Sequence, residues 1–466
     1  MGTGEPFLKP IDLEQESMRG GFENGIHAQA SSCPPPSLLP LQPFWPPSPS
    51  TPPPPSTPLP LALAPPSCST SPAATSGSTA STPPSPPPPL KPPTFQPVRC
   101  NSAVCHSAGV CNSLVCSGAG CATCDAPPSP VCFNNSCSTS ISNSAISTST
   151  SGLVWTDTFS VLSTDGRNPR PLVEVPKLAF VCGDDLLLKN NAVPAGVVGD
   201  AGLSRALLAL PLQLAAKRSL KRIFTYCLPS TGSGKGILIF GESPIVFQPN
   251  NDFTNSLQYT PLLKDTKQPD SYFIGVKSIA VNGVTLSIAS NLLKIQNDGT
   301  GGSKGGTIIS TSVRYTQLES SIYNALASEF KKAANARAIK SVTAVSPFDT
   351  CFNASTASST RVGYNVPTID LALQGSGGVV WSIMGANSVV SLNDGKVICL
   401  AFQRRREFET RAIVLGTFQQ QDALLQYDLA TSRLGFVSTL LGAWLLAPIS
   451  ISRPLLSLVL YIPFNK

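Results

Sequence analysis

The chain has 466 residues, with 46 Pro, 14 Cys, only 2 His, 13% charged residues and a net charge of +7. So modest a basic excess, scattered along the chain, argues against a nucleic-acid partner, which needs clustered Lys and Arg with interleaved aromatics. The histidines are His27 in an amino-terminal tail and His106 in a Cys-rich run, which argues against a His-based catalytic triad or a multi-His zinc site. A hydrophobic content of 41% fits a large β-rich globular body.

More than half of the prolines fall between Pro34 and Pro97. Such a Pro/Ser/Thr tract favours extended polyproline and buries too little apolar surface to offset its ordering entropy. Residues 1–97 are therefore expected to form a disordered tail. The alternative use of the tract is docking to SH3-like or cell-wall partners. The first residues carry Glu5, Asp12, Glu14 and Glu16 without an apolar stretch, so they do not read as a signal peptide.

Eight cysteines follow in one run: Cys100, Cys105, Cys111, Cys116, Cys121, Cys124, Cys132 and Cys137. They read as a disulfide-stapled segment of an exported protein. The alternative is a thiolate zinc site at Cys121, Cys124, Cys132 and Cys137. Sequons at Asn134 and Asn353 favour export and make both asparagines candidate glycosylation sites. The Ser/Thr-rich stretch from Ser138 to Ser151 reads as a loop.

From Leu153 the pattern changes to strands. Val154–Leu162, Leu172–Cys182 and Gly236–Gly241 carry the alternating or β-branched signature. Ile274–Val281 and Val284–Ile288 flank Asn282-Gly283, the pair that a type I′ hairpin turn favours. Leu318, Ile322, Leu326 and Phe330 recur every four residues and predict an amphipathic helix. Leu424–Phe436 reads as strand–turn–strand. The sum is a mainly β fold with short helices, spread over two lobes.

The tail from residue 438 to 466 is apolar enough to invite a membrane reading. Pro448, Arg453 and Pro454 interrupt it, and an arginine near a bilayer centre costs at least ~2.5 kcal/mol, so a poorly packed appendage is the favoured expectation. Gly232-Ser233-Gly234-Lys235-Gly236 resembles a phosphate loop but lacks its upstream Gly and its Ser/Thr, and reads as a turn. Asp165-Gly166 and Asp349-Thr350 read as turns as well.

The informative segment is Gly306-Thr307-Ile308-Ile309-Ser310-Thr311-Ser312-Val313, an apolar strand entering a hydroxyl-rich loop before a helix. It is similar to the carboxy-terminal catalytic loop of pepsin-like aspartic proteases, with Ser310 where the aspartate stands and Ser312 in place of the glycine. Those enzymes share a proton between two carboxylates to activate water. A Ser hydroxyl cannot do that near neutral pH. Other segments extend the resemblance. Gly196–Arg205 with Leu210–Gln213 resembles the strand-to-helix turn of the amino lobe. Ile413–Gln421 and Tyr427–Phe436 resemble the last strands. The run opening Val98-Arg99-Cys100 and the segment Leu162–Pro169 narrow it to the plant basic 7S globulin and xylanase-inhibitor branch.

The resemblance implies a pepsin-like, two-lobed fold, organised as a Pro-rich tail (1–97), a partial amino lobe (98–250), a carboxy lobe (251–437) and an apolar tail (438–466). It also implies a disulfide between Cys351 and Cys399, and no metal or other cofactor. The first active-site loop of the family has no counterpart here, so the amino lobe is expected to be incomplete. In cereal xylanase inhibitors a His just after the Leu-Gly-Phe segment enters the xylanase active site, whereas Val437–Leu441 holds none. The expected function is a catalytically inactive binding or inhibitory protein of the apoplast. Its ligand would be a protein or peptide, such as a microbial cell-wall glycosidase. The rivals are an aspartic endopeptidase and a truncated product without function. Ser310, Thr311 and Ser312 are therefore a degenerate rather than a working catalytic position.

Overall fold

Alternation of Val, Trp, Thr and Phe after Leu153 produces two long antiparallel strands, β1 (Thr148–Thr164) and β2 (Pro169–Cys182). The computed structural model describes residues 25–26, 96–99, 102–107, 137–143, 148–166, 169–182, 201–230, 236–247, 251–405, 410–441 and 457–462. The amino half continues through β3 (Ala201–Gly202), α1 (Leu210–Arg218), β4 (Ile223–Cys227) and β5 (Gly236–Phe240). Helix α1 starts with Pro211 in its first turn, where the missing N–H has no intrahelical partner to lose. It stops at Ser219 in the left-handed conformation.

The carboxy half contributes β6 (Gln258–Leu263), β7 (Phe273–Ile274), β8 (Thr307–Ile309), β9 (Thr316–Leu318) and α2 (Ser320–Ala336). Then come β10 (Phe402–Arg404), β11 (Ile413–Leu415), α3 (Thr417–Gln420), β12 (Leu424–Asp428) and β13 (Arg433–Val437). The last described segment is β14 (Ser457–Ile462).

A single 15-stranded sheet runs through both halves. In its middle lie β5, β4, β12, β13 and β6, paired in that order. It ends in a local crossing. Strand β8 runs parallel to β11, the chain passes over β11, and β9 returns antiparallel on its other side. One hydrophobic core spans both halves, from Val161 and Leu178 to Trp381 and Phe436, whose rings stack with centroids 5.0 Å apart.

Most predicted elements occur where the pattern placed them. Asn282 and Gly283 both take positive φ, joining Val276–Val281 to Val284–Thr285. Ile322, Leu326 and Phe330 are buried along α2, while Leu318 belongs to the preceding strand. Glu319 caps that helix, accepting from the amides of Ser321 and Ile322 at 2.9 and 3.2 Å.

Two segments differ from expectation. Ser138–Asn143 is a strand on β1 rather than a loop. Its lead-in is fixed by the Cys105–Cys137 disulfide and by the Cys137 backbone, which bonds to both Val98 and Val154. That disulfide removes Cys137 from any thiolate zinc site, while Cys121, Cys124 and Cys132 lie outside the described residues. The apolar tail is also partly organised: Leu440 is buried, its amide donates to Asp422 O, and β14 joins the sheet between β1 and β5. Of the expected Pro-rich tail, residues 25–26 and 96–97 are described, pairing with β3 and β1 respectively.

The crossing is pinned from below by a buried ion pair. Arg411, just before β11, reaches Asp265 at 2.8 Å and Ser303 Oγ at 2.7 Å, and lies over the Phe273 ring. Both charged side chains are almost fully enclosed. Burial alone would raise the Asp265 carboxyl. The hydroxyl of Ser303, the Lys267 amide and the charge of Arg411 outweigh it and hold the group below its ordinary value. A carboxyl lowered in the folded state stabilises above its unfolded pKa, and that stabilisation is lost as pH falls through the folded value. Asp265→Asn is therefore expected to cost about 3–5 kcal/mol at neutral pH by leaving Arg411 buried without its partner. Urea denaturation across pH checks it: the gap to wild type should close below about pH 4.

Candidate functional site

The crossing carries the loop that the sequence singled out. Strand β8 ends at Ile309, and Ser310 and Thr311 follow, both nearly buried. The Ser310 amide donates to Leu415 O at 3.0 Å, which seats the loop on the end of β11. Its Oγ accepts from the amides of Ser312 and Val313 at 3.2 and 3.3 Å. Two backbone amides that converge on one side-chain oxygen suit a carboxylate. Here a neutral hydroxyl occupies the place. Among the described residues, none of the Ser310 hydrogen-bond partners is an acid.

Passage of the loop over β11 demands a residue without a side chain beneath it. Gly416 meets that demand, since a Cβ there would stand 2.6 Å from Tyr315 C and 2.8 Å from Arg314 O. Helix α3 follows at once and presents two buried amides. Gln419 accepts from Thr316 N and Oγ1 at 2.9 and 2.7 Å and donates to Asn387 O and Ala401 O. Gln420 donates to Ser310 O at 2.7 Å and to Leu415 O at 2.9 Å, and accepts from the Tyr226 hydroxyl at 2.5 Å.

Tyr226 has one proton, and it goes to Gln420. The 3.2 Å contact between the Tyr226 and Tyr427 hydroxyls therefore has Tyr427 as donor. Burial raises both phenols, which keeps them protonated as this relay requires. Tyr226 lies on β4 of the amino half and Tyr427 on β12, so the relay ties the Ser310 loop to the sheet shared by both halves.

The amino half uses the same device once. Gln213 of α1 exchanges two bonds with the Ala179 backbone at 2.8 Å and donates to Leu208 O at 2.7 Å. Before α1, Leu203 O accepts from Tyr272, and the Arg205 guanidinium lies 5.2 Å from the centre of the Tyr272 ring. Burial lowers the Arg205 pKa, an effect that nearby Tyr272 and Tyr427 oppose. The described groups here are a hydroxyl, amides, tyrosines and an arginine, together with Asp270, whose carboxyl is raised by burial and adds to the effect of burial in raising Tyr272.

The remaining sequence candidates lie apart from these groups. Cys351 and Cys399 are joined by a disulfide between paired strands of the carboxy half. Asn353 caps a short turn, accepting from Ser355 N and Oγ at 3.0 and 2.9 Å. Asn134 lies outside the described residues. The structural importance of Gln420, Gln419, Tyr226 and Tyr427 did not emerge from pattern reading. The available signal was a pair of amides directly after an apolar strand ending in Gly, where polar groups must find partners or stay in water.

A mainly β body built on a sheet shared by both halves, with the Ser310 loop crossing β11 ahead of α3, fits the pepsin-like class. Two family models match: Xylanase inhibitor N-terminal over residues 67–242 and Xylanase inhibitor C-terminal over residues 271–438. The chain belongs to this pepsin-like xylanase-inhibitor family. It is 43% identical to "Probable aspartic proteinase GIP2" of Nicotiana benthamiana over 74% of this chain and 77% of that protein. It is 32% identical to "Basic 7S globulin 2" of Glycine max, covering 72% and 73%. Among solved structures it resembles edgp, with a TM-score of 0.67, 42% identity and coverage of 75% and 84%. The soybean basic 7S globulin gives 0.58, 29% identity and the same coverage.

Removing the middle member of the relay or its glutamine should register as lost stability. Tyr226→Phe is expected to cost about 1–3 kcal/mol, because Gln420 Oε1 stays buried without a donor, and Gln420→Ala to cost more. Thermal unfolding of both single variants and the double variant checks this. The two changes share one bond, so the double variant should lose less than the singles together.

Proposed function

We propose that this protein is a catalytically inactive, pepsin-like binding protein of secreted plant type. Its groove and surface loops engage a protein or peptide ligand. Cell-wall-degrading glycosidases of the xylanase type are the leading class, and peptide ligands the second. The observation that carries the reading is Ser310: a neutral hydroxyl takes the two amides at the position where an acid protease needs a shared carboxylate proton. Export is supported by the disulfides Cys105–Cys137 and Cys351–Cys399, which persist in oxidising compartments, and by the sequons at Asn134 and Asn353.

An enzymatic reading draws support from the printed name of the Nicotiana benthamiana relative. It needs two facing carboxylates. Because Val437–Leu441 carries no His, any grip on a xylanase would rely on other contacts than the one known in the cereal inhibitors.

Purified protein should show no pepstatin-sensitive peptide hydrolysis near pH 4, where a shared-proton carboxylate pair works. Ser310→Asp should remain inactive, since one acid restores half of a pair. Calorimetric titration against a panel of microbial xylanases and related glycosidases tests the binding claim. Pepstatin-sensitive turnover by the wild type would overturn the non-catalytic reading. Absence of binding across the panel would remove the glycosidase class and leave peptide ligands.

A further inference from the structure

The sheet order contains an unusual junction. Among the described residues, β14 is the strand that links β1 to β5, and thereby joins the β1–β2 hairpin to the sheet shared by both halves. It pairs antiparallel with both neighbours. On one side Ser457, Leu458 and Val459 face Thr164, Ser163 and Leu162. On the other, Leu458 through Ile462 face Phe240 through Gly236.

The neighbours are poor edge strands. Every residue of β5 is buried with β14 in place, and without β14 its backbone would present an unpaired apolar edge. The edge of β1 is covered piecewise by short segments from elsewhere in the chain. Residues 138–143 cover 148–153, residues 96–97 cover 155–156, and β14 covers 162–164. Each supplies main-chain hydrogen bonds to a preformed edge, which is the physics of strand addition.

We propose that the slot between Leu162–Thr164 of β1 and Gly236–Phe240 of β5 is a binding site for an extended apolar peptide. Its resident ligand is the chain's own segment Ser457-Leu458-Val459-Leu460-Tyr461-Ile462. The composition suits the role, since β-branched, aromatic and long apolar residues favour a pleated, enclosed strand and no proline interrupts the ladder. The tether suits it too. Leu441 is the last described residue of the body, and the 15 residues between it and Ser457 can span at most about 50 Å, which makes the tether short. A short tether holds a ligand at millimolar effective concentration, so the slot stays filled in the intact chain.

Hydrogen exchange on the full chain tests this. In the wild type, amides of residues 458–461 and 236–240 should exchange slowly. Val459→Pro removes a ladder N–H and should speed exchange at 236–240 and 162–164 by about tenfold or more, leaving 307–309 and 413–415 unchanged. A synthetic peptide of residues 455–464, added to that variant, should restore protection at 236–240, and a scrambled peptide should not. Random-coil exchange at 458–461 in the wild type would overturn the proposal, even if the proline variant fails to fold. Unaltered protection of 236–240 in a folded proline variant, or equal action of the scrambled peptide, would overturn it as well.

Discussion

One side-chain amide sets the position of everything at the centre of this molecule. Gln420 has two donors and one acceptor, and all are used inside the protein: Ser310 O, Leu415 O and the Tyr226 hydroxyl. An amide buried in this way tolerates little displacement, because any shift leaves a polar group enclosed without a partner. The loop after β8, the end of β11 and a strand of the amino half are therefore fixed relative to one another. Gln419 does the same for β9, and Gln213 for β2. Of the three, Gln420 is the one that bonds across the halves, through Tyr226.

Such a frame holds the pepsin-like architecture through backbone groups of the Ser310 loop and of β11. The relay of Tyr427, Tyr226 and Gln420 ends on a backbone carbonyl, so it holds the Ser310 loop in shape regardless of which side chain occupies the position. Beside it, Arg205 lies over the Tyr272 ring, whose phenol is raised by burial and further by the nearby Asp270 carboxyl. Groups fixed in this way are pre-organised, and pre-organisation lowers the entropy cost of holding any ligand.

Legibility followed the physical range of each signal. The hairpin around Asn282-Gly283 and the helix bearing Ile322, Leu326 and Phe330 are written in neighbouring residues, and the structure places both there. The Ser310 loop was legible because an apolar strand, a hydroxyl run and a helix occur in unbroken order. Ser138–Asn143 was not, since Ser and Thr serve loops and strands equally. What selects the strand is a disulfide from Cys137 to Cys105, 32 residues away, and the edge of β1 that follows the segment. Gln420 was hidden because two of its partners, Tyr226 on β4 and Ser310 after β8, lie far off in the chain and no local pattern announces them. The apolar tail gave composition without a destination.

The pairing of Val459 with Leu162 joins positions about 300 residues apart, a separation at which loop closure is slow. The carboxy half closes mostly on itself, through neighbours such as β12 with β13 and Ile369–Leu373 with Val380–Ile383. The hairpin of β1 and β2 pairs locally and can close early, whereas its seam with β14 waits until residues 457–462 have been made.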